Sequence, residues 1–349
     1  MDLYLQKMEE HRHRLLQLPN VTGVGVGYKE VGGKPTGDLS IVVFVEKKIP
    51  RQGLGFQEIV PEDVDGARTD VIETGRIYFQ RGFYRTLAQA QPGRTGRWRP
   101  IPPGVSIGHY QVSAGTLGAW VYDLRTGSPL LLSNNHVLAN ATDGTDGRSA
   151  AGDAILQPGR HDGGRQPQDV VGYLERFVPL QKKAAAAQAD LSAARAHLND
   201  FLASVGSPLK IQALSAGSGA ENRVDAAVAR PVDPRLCQPA VLGLGPVRGI
   251  RAVRPGMAVV KSGRTTELTR GQVRAVEASV SVHLPTGEPV QFVHQVVATG
   301  MSKPGDSGSL VCDGEGYAVG LLFAGSDQAT VFSPIGDVLQ VLEVTLTPP

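Results

Sequence analysis

The chain holds only two cysteines, Cys237 and Cys312, in 349 residues. That is too few for a disulfide framework, and both are expected to be reduced thiols. Neither sign of charge dominates: 35 basic and 33 acidic side chains leave a formal charge of +2. A nucleic-acid protein held mainly by phosphate contacts needs a concentrated basic face, and a polybasic membrane anchor needs a cluster of the same kind. Neither partner is expected. Long apolar runs are missing too. Stretches such as Ile41 to Val45 fall far short of the roughly 18 residues that span a bilayer. Between Met1 and Asn20 charges interrupt every apolar stretch, so no secretory h-region is visible. The expectation is a soluble, cytoplasmic protein.

What the chain does have is glycine and proline, 43 and 24 residues. A hydrophobic share of 41% is too high for disorder, so the excess fits many short strands joined by tight turns. The length allows about two domains of ordinary size, each able to build a core without staples. Residues 2–18 carry an imperfect amphipathic helix pattern. VTGVGVGYKEV and LSIVVFVEKK read as two strands around a turn at Gly32, Gly33 and Pro35, with TDVIETG as another strand. Gly23-Val24-Gly25 could open a nucleotide loop, but no phosphate-binding helix start follows it. We therefore expect a small α+β domain at 1–85 and a linker or strap rich in Pro, Gly and Arg at 86–103. Strand patterns resume at 104. They are broken by an alanine-rich run at about 180–203 that reads as an inserted helix, and they end in a helical segment near 335–345.

Three stretches carry chemistry: SNNHVL around His136, NRVDAAVA around Asp225, and KPGDSGSL around Ser307. The aspartate follows the histidine by 89 residues and the serine follows the aspartate by 82. A serine hydroxyl is a weak nucleophile until an imidazole takes its proton, and a buried carboxylate fixes the tautomer of that imidazole. The order His, Asp, Ser separates this arrangement from the subtilisin and α/β-hydrolase orders. Each residue alone has a duller reading: a turn for GDSG, a core histidine for His136, a strand end for Asp225. Elsewhere, His161-Asp162 lies in a glycine-rich loop without further ligands at metal-binding spacing. His11 and His13 are expected to be solvated, and Cys312 to be a small core hydrophobe. No metal or cofactor is expected.

These motifs resemble the trypsin-like serine proteases of the chymotrypsin fold. GDSGS matches that family's GDSGG at four of five positions, SNNHVL has its small hydroxyl residue three before the histidine, and VDAAVA its apolar strand around the aspartate. The resemblance covers about residues 104–345. With NVTGVGVGYK and TDVIETG near the start, the chain resembles a narrower group, the narrow-leaf-type serine proteases of plants and their bacterial relatives. The resemblance implies a mainly β chain with two antiparallel β-barrels, one at 104–235 with the inserted helix and one at 236–349 with the C-terminal helix. It implies Ser307 as nucleophile, His136 as general base and acid, and Asp225 as orienter. Gly305 and Ser307 would supply oxyanion-hole N–H groups, with Asp306 supporting their loop. One such donor is worth about 2.7–4 kcal/mol of barrier.

The pocket implied by the resemblance draws on Met301, Phe323, Ala324 and Gly325. It lacks a carboxylate, so an apolar or small residue is expected before the scissile bond. Ser309 replaces the family's second glycine. No short activation peptide is visible whose new N-terminus would pair with Asp306. Control by the N-terminal domain, by assembly or by substrate binding is expected instead, with homo-oligomers formed through that domain. The expected activity is endoproteolysis of a restricted set of protein or peptide substrates. The alternatives are a catalytically quiet scaffold that binds a peptide and a non-proteolytic esterase.

Overall fold

The computed structural model describes residues 1–55, 58–80, 93–182, 221–284 and 287–348. The chain is mainly β, as expected, with two sheets. Helix α1 (Asp2–Leu16) leads into β1 (Val21–Val31), β2 (Lys34–Val45), β3 (Asp63–Val64), β4 (Ala67–Glu73) and β5 (Tyr78–Phe79). Then come β6 (Ser106–His109), β7 (Gly115–Thr116), β8 (Ala119–Asp123) and β9 (Pro129–Ser133). The one-turn helix α2 (Asn135–Leu138) precedes β10 (Ala154–Leu156), β11 (Val170–Phe177) and β12 (Ala227–Pro231). The C-terminal part contains β13 (Ala258–Gly263), β14 (Glu267–His283), β15 (Pro289–Thr299), β16 (Leu310–Asp313), β17 (Ala318–Gly325), β18 (Ala329–Pro334), α3 (Ile335–Val341) and β19 (Val344–Thr345). The expected inserted helix falls on residues outside those described, apart from 180–182.

One sheet is antiparallel and runs β19-β8-β9-β12-β11-β10-β6-β7. In the other, β13 pairs with both β16 and β14, so six strands from β13 to β18 close on themselves. Residues with small or apolar side chains line the space between the sheets, among them Ala119, Val121, Leu132, Val228, Leu310, Cys312 and Leu321. Cys312 is buried and free, and burial pushes its thiol up to about 12, which leaves it a core hydrophobe. The strap at 93–103 ties the two sheets: Arg94 donates to Gly104 O at 3.0 Å and to Ser262 Oγ at 2.6 Å.

The N-terminal strands extend the closed sheet, because β1 pairs antiparallel with β14. The glycines alternating in VTGVGVG face that partner. A Cβ at Gly27 would stand 2.0 Å from the carbonyl oxygen of Arg274, and one at Gly23 2.7 Å from that of Ser279. The valines between them turn the other way, onto Met8 and Leu15 of α1. Period-two alternation thus serves two contacts, close backbone approach on one face and a helix-covered core on the other.

Asp123, on β8, holds the C-terminal end. Burial alone would push its carboxyl up, but Arg176 donates to it at 2.6 Å and the N–H groups of Arg125 and Thr126 also bond it, bringing it down to about 2. Arg176 in turn donates to Leu342 O at 2.8 Å. A carboxyl lowered by folding contributes stability above its unfolded value and loses it as pH falls through the folded one. The melting temperature should therefore drop between pH 3.8 and about 2, and Asp123→Asn should flatten that slope in a thermal-melt series against pH.

Candidate active site

His136 sits on α2, directly after β9. Three neighbours fix this corner. Ser133 donates to Thr116 O at 2.7 Å, Asn134 to Asp225 O at 2.7 Å, and Asn135 to Thr142 O and Val178 O at 3.0 and 2.7 Å. The backbone N–H of His136 donates to Asp225 Oδ1 at 3.2 Å, and its Nδ1 bonds Asp225 Oδ2. A carboxylate can only accept there, so the Nδ1 proton is committed and a neutral ring keeps its lone pair on Nε2. Nε2 is buried and, among the described residues, has no hydrogen-bond partner.

Ser307 lies on the loop before β16, and that loop is braced from below. Asp306 accepts from the N–H groups of Thr265, Thr266 and Lys303 at 2.9, 3.1 and 3.0 Å, and from Thr266 Oγ1 at 2.5 Å. Lys261 Nζ stands 3.3 Å from its carboxylate, and both side chains are fully buried. Burial pulls the Lys261 ammonium below its usual range, while Asp306 opposes that shift. Gly305 and Gly308 have φ of 102° and 94°, which suits glycine. A Cβ at Gly308 would also lie 2.1 Å from Ser133 Oγ. Ser309 donates to Asp306 O at 2.6 Å and closes the loop on itself.

The first sheet meets this loop through β7. Thr116 N–H donates to Ser307 O at 2.8 Å, and Gly115 is small enough to admit both Ser307 O and Val137, the neighbour of His136. The three distant stretches thus meet where the two sheets abut, and His136, Asp225 and Ser307 are all 0% exposed. Ser307 Oγ does not bond His136. It donates to Phe323 O at 3.0 Å. Gly305 N–H is directed at the carbonyl of Gln80, at 2.8 Å. Asp306 N–H is used within the loop, on Lys303 O at 3.0 Å, so Asp306 serves through its carboxylate.

Of the residues expected in the pocket, Ala324 and Gly325 lie on β17 opposite Phe79 and Tyr78 of β5. Phe323 presents its carbonyl there, and its ring packs on Phe292 and Phe79. Met301 is elsewhere, among Val259, Val273, Val296 and Leu322 inside the closed sheet. The sequence placed it by counting back from Ser307, and the loop instead folds it into the core. Phe79 and Gln80 were not anticipated at the site at all. Phe79 stands edge-on to His136, with ring centres 4.9 Å apart. Asp162 pairs with buried Arg264, at 2.5 Å, which accounts for the polar loop at 161–162. His11 bonds Asp65 at 2.8 Å and is only partly exposed.

No family model matches the chain, and no curated protein matches its sequence. Solved structures do match. Protease A of Thermobifida fusca is 15% identical, with 71% of this chain and 99% of that chain covered and a TM-score of 0.44. A chymotrypsin of Cellulomonas bogoriensis is 17% identical over 71% and 99%, with a TM-score of 0.39. A Nocardiopsis protease is 14% identical over 70% and 97%, with a TM-score of 0.40. No helix among the described residues is long and apolar enough to cross a membrane.

Proposed function

We propose that the protein is a trypsin-like serine endopeptidase that cleaves peptide bonds through an acyl-enzyme on Ser307. The observation that carries this reading is the His136–Asp225 pair, which fixes the tautomer and leaves Nε2 without a partner among the described residues, while Gly115 adjoins both Val137 and Ser307 O. In the reaction Ser307 Oγ turns from Phe323 O to His136 Nε2, gives up its proton there, and attacks the carbonyl carbon. The developing oxyanion takes the N–H groups of Gly305 and Ser307. His136 returns the proton to the leaving amine, and water then releases the acyl group by the same route in reverse. The narrower kinship with the narrow-leaf-type proteases rests on NVTGVGVGYK and TDVIETG.

One observation favours the quiet scaffold. The Ser307 hydroxyl is engaged by Phe323 O in place of the imidazole. A fluorophosphonate decides between them, because it reacts only with a serine whose proton can be removed. The expected result is a single adduct on the peptide carrying Ser307, absent from Ser307→Ala. Failure to label both the native chain and the variant Phe79→Gly, Gln80→Gly even after long exposure would favour the scaffold. Cleavage of a protein substrate that also depends on Ser307 sets the endopeptidase apart from an esterase.

A further inference from the structure

The chain fills its own cleft. Strand β5 lies antiparallel on β17, with Phe79 opposite Ala324 and Tyr78 opposite Gly325. Its other side meets β14, where His283 N–H donates to Ile77 O at 2.9 Å. An extended peptide adds a strand to an exposed edge in this way. Gln80 N–H then reaches Phe323 O at 3.4 Å, and its carbonyl receives Gly305 N–H at 2.8 Å. The Phe79 ring rests on His136 and on the rings of Phe292 and Phe323. Gln80 is only 3% exposed. Its amide group enters the pocket beside Gly325, where a Cβ would stand 2.5 Å from Nε2 and 3.2 Å from Ser302 Oγ. A carbonyl on a proposed oxyanion donor, a side chain in an uncharged pocket and a backbone paired to the flanking strand are together the contacts of a bound substrate.

We propose that glutamine is the residue this site accepts ahead of the scissile bond, and that the protein hydrolyses its own Gln80–Arg81 bond. The proposal rests on the reading of Ser307 as nucleophile. Ser307 Oγ bonds to the Gln80 carbonyl carbon as its proton moves to His136 Nε2. The bond from that carbon to the Arg81 nitrogen breaks, and the proton passes to the departing amine. Water then gives its hydroxyl to the Gln80 carbon, the bond from that carbon to Ser307 Oγ breaks, and the proton from water passes through His136 to Oγ. The products are a chain ending in the Gln80 carboxylate and one beginning with Arg81. Gly325, against the Gln80 side chain, and Ser302, on the same side of Gly325, carry no charge to pair with lysine or arginine. Among the described residues, Gln80 Oε1 is buried with no hydrogen-bond partner, which loosens the hold on the cut end. The two pieces remain joined through the pairing of β1 with β14. Glutamine replaces the expectation of an apolar or small residue, and any other substrate enters only once Ile77–Gln80 has left.

Intact-mass measurement of the full chain after incubation at neutral pH should find pieces 1–80 and 81–349. Ser307→Ala should stay whole, and Gln80→Arg should be cut about tenfold more slowly or worse, since the pocket would have to bury an unpaired charge. The double variant Phe79→Gly, Gln80→Gly removes the side chains that hold the segment, and its Ser307 should take a fluorophosphonate about tenfold faster than that of Ser307 in an uncut chain. A native chain that stays whole, together with a labelled double variant, overturns self-cleavage and leaves the endopeptidase reading standing. If neither chain is labelled, that reading fails and the proposal with it. Cutting at another bond, or equal rates for native and Gln80→Arg, also overturns it.

Discussion

Ser307→Ala should lower kcat for peptide hydrolysis by about 10⁶-fold, because the nucleophile and base act as a unit and neither works without the other. Asp225→Asn should cost about 10⁴-fold while leaving the fold intact. The two losses differ for a reason visible in the site. Asp225 accepts from both the His136 backbone N–H and the ring Nδ1. An asparagine can keep the first bond, but its NH₂ group can turn towards Nδ1, which moves the ring proton to Nε2. Nε2 then has no lone pair for the serine. Single-turnover measurements on purified variants, with matched thermal melts, would check this. An Asp225→Asn enzyme with undiminished kcat would show that this carboxylate does not orient the base.

Lys261→Met should destabilise the protein by about 3–5 kcal/mol, the usual cost of leaving one member of a buried ion pair alone. Lys261 and Asp306 have no exposed surface, and the ammonium also donates to Glu267 O at 3.0 Å and bonds Thr266 Oγ1. Asp306 keeps its bonds from Thr265, Thr266 and Lys303, so the loop should loosen without unfolding. The N–H of Gly305 lies one residue from that carboxylate, and activity should fall with it. Adding Asp306→Asn to Lys261→Met removes the stranded charge and should recover much of the stability in urea titrations. It should not restore turnover, because the carboxylate also sets the loop. Equal urea midpoints for native and Lys261→Met would mean that the pair contributes nothing net.

Lys261 shows where the sequence stopped being informative. Nothing in one-dimensional spacing says that the lysine of KSGRTT lies under Asp306, 45 positions away. The loop could be expected to need support, and the absence of an activation peptide left the source open. Met301 failed for the opposite reason. Counting residues back from Ser307 assumes a loop path, and the path observed turns the side chain into the core.

Short-range rules determined a good deal unaided. Period-two alternation and abundant turn residues announced a mainly β chain. The order of His136, Asp225 and Ser307, each within a motif whose neighbours suit its task, marked the residues that meet at the site. The glycines of VTGVGVG were legible as strand, though not as the face that admits β14. Only the tertiary structure decided what occupies the cleft. Phe79 and Gln80 carry no motif, because their role comes from lying across β17 and under Gly305. Contacts between positions more than 200 residues apart depend on how the sheets close on each other, and local preference holds no record of that.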